Sequence, residues 1–363
     1  MAARVLFWAR FKNIVDRPIF IHVYIDVFVN TYSSPVKVGI AGATGYAGQE
    51  LVALLARHPG VNLQAAMSSG PDSASRPLPR LARIWNGQVE PLDAARLARS
   101  VEVAFLAVPE KAAAELAPPL VDAGVRVIDL SGAFRIRDDA ARARWYPATK
   151  TLPSGAAYGL TEHYKDDVRG AALVANPGCY PTGALLALLP LVRAGLVDLS
   201  RDVIIDAKSG ISGAGRAASD RTHFSENHGS VSAYGLFNHR HVAEMEQELG
   251  ATITFVPHLV PLDRGILETI YIRTTPGTTV ERVSDAFTSA YGSEPFVRLT
   301  GDELPEIKHV AHTNFCDIGW RLDAGVGRMV IVVCLDNLVK GAAGQALQNF
   351  NVACGFNERT ALL

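Results

Sequence analysis

The chain is poor in cysteine and lacks cysteine pairs with metal-binding spacing. Only four cysteines occur in 363 residues, and none belongs to a C-x-x-C pair. This scarcity argues against a zinc knuckle and against a disulfide-stabilised secreted domain. The sequence therefore predicts no metal site and favours a reducing, cytoplasmic location. The four are Cys179, Cys316, Cys334 and Cys354.

Net charge and long apolar runs are also missing. The chain has 35 basic and 36 acidic residues, and no basic tail or stripe stands out. This balance argues against a nucleic-acid partner. No run approaches the ~18 apolar residues of a membrane span, which argues against a membrane protein. At roughly 150 residues per domain, the length predicts two domains, each with its own core.

Residues 1–34 differ from the rest of the chain. They are rich in aromatic and β-branched residues, and no acidic residue precedes Asp16. A targeting segment is one interpretation, but Asp16 and Asp26 interrupt the segment and it has no small-residue cleavage site. The favoured interpretation is a poorly ordered leader, or a start codon assigned too far upstream. Organised sequence begins at Pro35.

A strand, a glycine-rich turn and a helix follow Pro35. The apolar run 36–40 reads as a strand, leucines at helical spacing follow the turn, and 61–67 reads as the next strand. Glycines in such a turn let a pyrophosphate approach the backbone at the helix N-terminus. We therefore expect the turn to bind a dinucleotide through Gly42, Thr44, Gly45, Tyr46, Ala47 and Gly48.

The tip of the second strand bears on the choice between NAD and NADP. An NAD site usually has an acidic residue there to hold the ribose 2′-hydroxyl. This chain has Ser68 and Ser69, with Arg76 shortly after. Hydroxyls and a cation suit a 2′-phosphate, so the sequence favours NADP, although both serines could be ordinary loop residues.

The remaining pattern predicts an α/β protein with a Rossmann-type, doubly wound parallel sheet and a second α/β domain. In the first domain, strand-like runs at 101–108 and 125–130 flank a partly helical segment. In the second, strand-like runs occur at 203–207, 252–256, 266–273 and 329–335. We place the nucleotide-binding domain at 35–178, the catalytic domain at 179–335 and a C-terminal helical segment at 336–363.

Cys179 lies where a helix is predicted to begin, at Tyr180 or Pro181, and Pro190 is expected to perturb or end that helix. The positive end of a helix stabilises a thiolate, and its amides can hold an oxyanion. A buried, inert cysteine is the alternative. A thiolate beside a nicotinamide predicts acyl or aldehyde chemistry through a covalent thioester.

Several separate motifs together resemble the N-acetyl-γ-glutamyl-phosphate reductase family, which is related to the aspartate-semialdehyde dehydrogenases. The resemblance covers roughly residues 36–363. The motifs are GATGYAGQEL (42–51), DLSGAFR (129–135), AYGLTE (157–162), NPGCYPTGALLAL (176–188), SGISGAGR (209–216), HRHVAE (239–244), HLVPLDRG (258–265), TNFCDIG (313–319) and DNLVKGAAGQALQN (336–349).

The resemblance implies roles for individual residues. Cys179 would be the nucleophile, assisted by His239 and His241 with Glu244 behind them. Asn337, in the last motif, would help to hold NADP. The resemblance also implies a homo-oligomer, a dimer or tetramer, whose C-terminal helix packs back on the first domain. The residues placed near the substrate are Ser131, Arg135, Ser209, Ser212, Gly213, Arg216 and Arg264.

The implied reaction is NADPH-dependent reduction of N-acetyl-L-glutamyl 5-phosphate. His239 is favoured over His241 as the acid/base, but the sequence does not decide between them. The chain departs from the family pattern at Glu110, in place of a histidine, and at Ala133, in place of an acidic residue. Aspartyl phosphate and N-acetyl-aminoadipyl phosphate stay open as substrates, because one methylene is worth only ~1–3 kcal/mol in a pocket. A non-catalytic NADP-sensing protein is the distant alternative.

Overall fold

A computed structural model describes residues 34–68 and 75–363 of the chain, together with the backbone of two N-terminal strands. These strands, β1 (Ala2–Lys12) and β2 (Pro18–Phe28), form an antiparallel two-stranded sheet. Of the predicted site residues, Ser69 lies outside the described residues.

The first large sheet has seven strands, and all of its neighbouring pairs are parallel. Its strands are β3 (Val36–Ala41), β4 (Val61–Ser68), β5 (Glu90–Pro91), β6 (Val103–Leu106), β7 (Arg126–Asp129), β8 (Ala156–Tyr158) and β9 (Leu173–Ala175). Their order is β5-β4-β3-β6-β7-β9-β8. The predicted doubly wound parallel sheet is confirmed. Because the strand order reverses beside β3, the crevice for a ligand opens at the end of that strand.

Five helices accompany this sheet. They are α1 (Tyr46–Ala56), α2 (Ala94–Ser100), α3 (Glu110–Asp122), α4 (Asp139–Trp145) and α5 (Thr161–Gly170). Helix α1 buries Leu51, Val52, Leu54 and Leu55, the leucine-rich face that the sequence predicted. This face packs against β3 and fixes the helix N-terminus at the crevice.

The second large sheet also has seven strands, but it is mixed. Its strands are β10 (Val203–Gly210), β11 (Ser232–Ala233), β12 (Ile253–Val260), β13 (Ile266–Arg273), β14 (Val297–Leu299), β15 (Cys316–Asp323) and β16 (Arg328–Leu335). Their order is β11-β12-β10-β13-β16-β15-β14, with β10/β12 and β14/β15 parallel. The four predicted runs correspond to β10, β12, β13 and β16. Strand β15 lay in a motif to which the sequence assigned no strand.

The helices of this region are α6 (Cys179–Arg193), α7 (Phe224–Asn227), α8 (His241–Leu249), α9 (Val280–Tyr291) and α10 (Ile307–Val310). Helices α6, α8 and α9 share one core with alternate residues of the strands. The core therefore occupies one face of the mixed sheet. None of the helices in the described part of the chain is long and apolar enough to cross a membrane.

Helix α6 begins at Cys179 and continues through Pro190 to Arg193, whereas the sequence suggested a later start and an end or perturbation at the proline. Proline has no N–H, so the carbonyl of Leu186, four residues earlier, loses its usual donor. The hydroxyl of Tyr291 on α9 donates to that carbonyl at 2.5 Å. A hydrogen bond from another helix thus compensates for the proline.

The chain returns to the first domain after β16. A π-helix, Val339–Ala343, leads into α11 (Gly344–Ala353), which contacts α1, α5 and β7. Lys340 in the π-helix is fully buried, and its ammonium lies 2.6 Å from a carboxylate oxygen of Glu162. This buried ion pair ties the C-terminal segment to α5.

Candidate active site

A cavity of about 950 Å³ lies between the two domains. The turn after β3, the ends of β6 and β7, the start of α6, the loop before α8 and the segment after β16 form its walls. The structure therefore brings together most of the residues predicted for the site. Those that line the cavity are Gly45, Tyr46, Ala47, Gly48, Ser131, Arg135, Cys179, Ser212, Gly213, Arg216, His239, His241 and Asn337.

Glycine is required in the turn after β3. Gly42 has a φ of 94°, and a Cβ there would collide with the carbonyl oxygen of Ala107 at the end of β6. A Cβ on Gly48 would collide with the carbonyl oxygen of Gly42. The absence of side chains lets α1 start close to the sheet with its first amides towards the cavity. A backbone cradle of this kind fits a dinucleotide pyrophosphate.

Thr44 and Ser68 lie behind this turn and do not line the cavity. Their hydroxyl oxygens are 2.9 Å apart, which links the turn to the tip of β4. The carbonyl oxygen of Thr44 accepts a hydrogen bond at 3.0 Å from Arg216, which belongs to the loop after β10. Arg216 therefore connects the nucleotide-binding turn to the second domain.

The residue before the nucleophile is held by Glu244. One carboxylate oxygen of Glu244 accepts the Gly178 N–H at 2.8 Å and the Tyr158 hydroxyl at 2.6 Å. The other lies 3.3 Å from Arg135. Glu244 is fully buried. We expected Glu244 behind the histidines, but its contacts instead fix the backbone from which Cys179 projects.

The Cys179 thiol is not ionised by the helix terminus alone. We expected a lowered pKa, yet burial raises the pKa of Cys179 to about 12, and Arg135 and the Tyr180 N–H offset this only in part. The Gly178 N–H is already bonded to Glu244, and Pro181 has no N–H. Attack by sulfur therefore needs a group that accepts the thiol proton.

Two histidines line the same cavity as the thiol. His239 Nδ1 accepts the backbone N–H of His241 at 3.2 Å, which leaves the ring proton of neutral His239 on Nε2. The His241 ring lies against Gly178, where a Cβ would collide with it. His241 Nδ1 is buried and has no partner among the described residues. His241 therefore has an unpaired ring nitrogen, whereas His239 already uses Nδ1 as an acceptor.

Burial also sets the charge of these rings. It lowers the pKa of His239 to about 4, with a smaller contribution from Arg240. Burial lowers the pKa of His241 well below its usual value, and His239, Arg135 and Arg240 lower it further. Both rings are therefore neutral at pH 7, the state in which one can take up a proton.

Arg135 and Arg264 are engaged by the protein itself. Both are only 6% exposed. Arg135 donates to the carbonyls of Asn176 at 2.7 Å and Leu130 at 2.9 Å, besides its contact with Glu244. We expected both arginines to lie near the substrate; Arg135 does line the cavity, and these contacts hold its guanidinium in place.

Arg264 is also held by contacts within the protein. Its guanidinium lies 2.9 Å from Glu50 on α1 and 3.2 Å from Asp336. It lines a neighbouring cavity of about 640 Å³ rather than the one around the thiol. Arg264 therefore fastens the nucleotide-binding helix to the second domain.

The hydroxyls of Ser131 and Ser209 form hydrogen bonds with neighbouring residues in the chain. The Ser131 hydroxyl donates to Asp129 at 2.8 Å and accepts the Ala133 N–H at 3.1 Å. Burial raises the pKa of Asp129 to about 6, despite these hydrogen bonds from Ser131. The Ser209 hydroxyl donates to the carbonyl of Gly210 and is buried. Ser131 lines the cavity, whereas Ser209, also predicted near the substrate, does not.

Asn337 links the last motif to the loop after β10. Its amide nitrogen donates to the Ser212 hydroxyl at 2.9 Å, and its oxygen accepts the Gly265 N–H at 2.7 Å. The contact positions Ser212 and the neighbouring Gly213 on the cavity wall. Asn337 thus joins the segments predicted for cofactor and substrate.

Sequence reasoning missed two features of the site. Gly341, in the π-helix, packs so closely that its Cβ would lie 2.7 Å from Cβ of Cys179. Arg240, between the two histidines, forms an ion pair of 2.8 Å with Glu110 across the cavity. Glu110 was recognised only as a departure from the family pattern. No local pattern marked Gly341 as a neighbour of the thiol.

The structure distinguishes the cysteine at the cavity from the other three and bears on metal binding. Cys316, Cys334 and Cys354 are buried and do not line the cavity, whereas Cys179 is partly exposed. Within residues 34–68 and 75–363, no group of three or more His, Cys, Asp or Glu side chains is arranged to hold a metal ion. Cys179 is the cysteine that lines the cavity.

Two family models match the chain, one in each domain. The model described as "Semialdehyde dehydrogenase, NAD binding domain" matches residues 37–171. The model described as "Semialdehyde dehydrogenase, dimerisation domain" matches residues 179–337. The gap between the matches falls just before Cys179.

Curated relatives are similar over nearly their whole length. A protein of Desulforapulum autotrophicum named N-acetyl-gamma-glutamyl-phosphate reductase is 46% identical, over 90% of this chain and 98% of its own. A Bacillus subtilis protein of the same name is 43% identical with the same coverage. Such identity over such a length reflects common descent of the whole described fold.

Solved structures with the same fold are more distant in sequence. Aspartate semialdehyde dehydrogenase II of Vibrio cholerae, complexed with ASA, superposes with a TM-score of 0.67 at 19% identity, over 88% of this chain and 98% of that chain. The Candida albicans aspartate semialdehyde dehydrogenase with NADP superposes with a TM-score of 0.65 at 18% identity, with the same coverage. At this level of identity the likeness concerns the fold alone.

Proposed function

The chain belongs to the N-acetyl-γ-glutamyl-phosphate reductase family, and from this we propose that it reduces N-acetyl-L-glutamyl 5-phosphate to N-acetyl-L-glutamate 5-semialdehyde in arginine biosynthesis. The observation that carries the proposal is the arrangement of Cys179 beside two neutral histidines, across one cavity from a glycine-rich turn. A thiol, a proton acceptor and a nicotinamide site together suit conversion of an acyl group to an aldehyde.

The nicotinamide cofactor is NADP in this proposal. The turn Gly45–Gly48 offers backbone amides to the pyrophosphate, and Asn337 borders the same cavity. Ser68 at the tip of β4 takes the place of the acidic residue that would favour NAD. When bound, the cofactor supplies the hydride that reduces the thioester.

The first chemical step uses groups of this chain alone. His241 accepts the proton of the Cys179 thiol as sulfur attacks the acyl-phosphate carbonyl. The Tyr180 N–H, which already points at the sulfur, and the Nε2–H of His239 are suited to stabilise the oxyanion. Collapse of the tetrahedral adduct breaks the carbon–oxygen bond to phosphate, and His241 passes its proton to the departing phosphate.

The later steps release the aldehyde. After reduction, the thiohemiacetal oxyanion on Cys179 re-forms the carbonyl, and the carbon–sulfur bond breaks with the electron pair going to sulfur. His241 then passes a proton taken up from solvent to the thiolate. Because burial favours the neutral thiol, this reprotonation makes release of product favourable.

A homo-oligomer follows from the match to a dimerisation domain. We propose that the open face of the mixed sheet forms the interface of a dimer or tetramer. Helices cover one face of this sheet, while Ile204 and Tyr271 on the other are 36% and 41% exposed. The low number of cysteines and their wide spacing suit a reducing compartment, and we propose the cytoplasm.

The test is phosphate-dependent reduction of NADP by the purified full chain with N-acetylglutamate 5-semialdehyde, run in the reverse direction. Aspartate semialdehyde and the one-carbon-longer N-acetylaminoadipate semialdehyde serve as competing substrates, and NAD as the competing cofactor. We expect N-acetylglutamate 5-semialdehyde with NADP to give the highest kcat/KM, and prior alkylation with iodoacetamide to abolish the reaction. Preference for another semialdehyde, or activity that survives alkylation, would refute the proposal.

A further inference from the structure

The proposed substrate carries a carboxylate at the end opposite the reacting carbonyl, and that group needs a cation in the cleft. Arg135 cannot serve without giving up contacts, because its nitrogens are bonded to two carbonyls and to Glu244. Arg264 is likewise held between Glu50 and Asp336. Of the three arginines predicted to lie near the substrate, these two are thus occupied by the protein.

Arg240 differs from Arg135 and Arg264 because it is half-exposed. It lies between His239 and His241 in sequence and lines the same cavity. Its side chain is 51% exposed, and its guanidinium lies 2.8 Å from Glu110, which is 39% exposed. The Tyr146 ring supports the guanidinium from one side, with 5.6 Å between the Arg240 carbon and the ring centre. Ion pairs as exposed as this one contribute little to stability, so another carboxylate can replace Glu110 at low cost.

We propose that Arg240 binds the α-carboxylate of the substrate and that the Glu110 carboxylate occupies the same place when no substrate is bound. This inference rests on the proposed function. Glu110 presents to Arg240 the same chemical group that the substrate would present, at a distance of a charge-assisted hydrogen bond. The substrate therefore enters by displacing a carboxylate of the protein.

Arg216 and Arg221 also border the cavity, but their contacts favour other roles. Arg216 donates to the carbonyl of Thr44 in the nucleotide-binding turn, which places it beside the expected phosphates. Arg221 lies over the Tyr234 ring, 5.7 Å from its centre. Arg240 is the cavity arginine that faces a carboxylate across the cleft in the described part of the chain.

The exchange also leaves the charge around the histidines unchanged. The Arg240 cation disfavours protonation of both His239 and His241, and Glu110 balances that cation. A substrate carboxylate in place of Glu110 supplies the same negative charge. The proton-accepting state of the histidines is therefore kept when the substrate binds.

Glu110→Gln and Arg240→Gln test the proposal, because they should change KM in opposite directions. Loss of the competing carboxylate in Glu110→Gln should lower KM for N-acetylglutamate 5-semialdehyde by about two- to fivefold. Loss of the cation in Arg240→Gln should raise it about ten- to hundredfold. A merely structural ion pair would raise KM, or lower stability, in both variants.

Three controls sharpen the result. Glu115→Gln removes an exposed carboxylate from the same helix, α3, away from the cavity, and should leave KM unchanged. Glu110→Gln should have no further effect in the Arg240→Gln background. With the α-carboxamide analogue of the semialdehyde, the loss caused by Arg240→Gln should shrink to about twofold or less.

The outcomes separate this inference from the proposed function. Active wild type with KM unchanged in Glu110→Gln, or raised in both variants, would overturn the role of the pair and leave the reaction standing. A change in KM for phosphate instead of the semialdehyde would also overturn it, by assigning Arg240 to the phosphate. Wild type that does not turn over N-acetylglutamate 5-semialdehyde would overturn the proposed function and this inference together.

Discussion

Two fully buried carboxyl groups lie beside helix α6, and the protein treats them in opposite ways. Glu244, at the start of the helix, faces the Gly178 N–H, the Tyr158 hydroxyl and the Arg135 guanidinium. Glu268, on β13, lies against the second turn, where a Cβ on Gly183 would be 2.6 Å from one of its oxygens. Neither oxygen of Glu268 has a partner among the described residues.

The difference shows that hydrogen-bond and ion-pair partners, rather than the degree of burial, decide the role of a buried carboxyl group. Donors from three segments surround Glu244, so it can anchor the residue before Cys179. Burial without a partner raises the pKa of Glu268 well above its usual value and keeps it neutral. One carboxyl positions the nucleophile through its hydrogen-bond donors, and the other fills space beneath it as an uncharged acid.

The largest effect should come from the thiol between the two carboxyls. If both carboxyls only position the helix, Cys179→Ala should lower kcat by at least about 10³-fold and leave NADPH affinity nearly unchanged. Steady-state kinetics and NADPH fluorescence titration measure the two quantities. Substantial residual turnover would mean that another group, such as a carboxylate, attacks the acyl phosphate.

Removing the charge of Glu244 should be the next largest effect. In Glu244→Gln an amide replaces the carboxylate, Arg135 is left as an uncompensated buried cation, and stability should fall by about 3–5 kcal/mol. Urea unfolding followed by circular dichroism measures the loss. The exposed Glu115→Gln serves as the matched control and should change stability by less than about 0.5 kcal/mol. A neutral result for Glu244→Gln would remove the distinction from Glu268.

Glu268 should behave in the opposite way. Glu268→Met removes a buried carboxyl without partners and should stabilise the protein by about 1–3 kcal/mol at pH 8. The native pKa lies above the ordinary value of 4.5, so the folded state keeps a proton that the unfolded chain releases. Wild-type stability should therefore fall as pH rises from about 4.5 towards the native pKa, and the gain should shrink at pH 5. A destabilised variant, or a gain that does not depend on pH, would contradict this.

The smallest expected effect is the pH dependence of alkylation at the Cys179 thiol. Because the pKa of Cys179 is about 12 in the ligand-free protein, its alkylation by iodoacetamide should accelerate about tenfold per pH unit between pH 7 and 9. Loss of activity against time at each pH gives the rate. A plateau below pH 8 would show a thiolate stabilised by the helix terminus, and would mean that Glu244 and Arg135 do more than position the backbone.

The parts of the fold that short-range patterns specify could be predicted from the sequence. The glycine turn after β3 needs residues without side chains within a few positions of one another, so its spacing revealed it. The apolar face of α1 could be predicted because its leucines recur at helical spacing within one short segment. Cys179 was placed at a helix start because Pro181 is a local signal.

The parts that depend on distant partners could not be predicted. Arg135 meets Glu244 across 109 residues, and Arg264 meets Glu50 across 214, so neither could be recognised as already paired. Pro190 was misjudged because the compensating Tyr291 hydroxyl lies 105 residues along the chain from the Leu186 carbonyl to which it donates. The thiol pKa was predicted from the local helix dipole, whereas burial, a property of the tertiary structure, outweighs it.

The close packing of Gly341 against Cys179 has a consequence for biosynthesis of the protein. The nucleophile is residue 179, but the backbone that closes its pocket is residue 341. A ribosome-bound chain that stops before residue 340 holds the thiol without this rear wall and without the Lys340–Glu162 ion pair. The pocket around Cys179 can therefore close only after residue 341 has been synthesised.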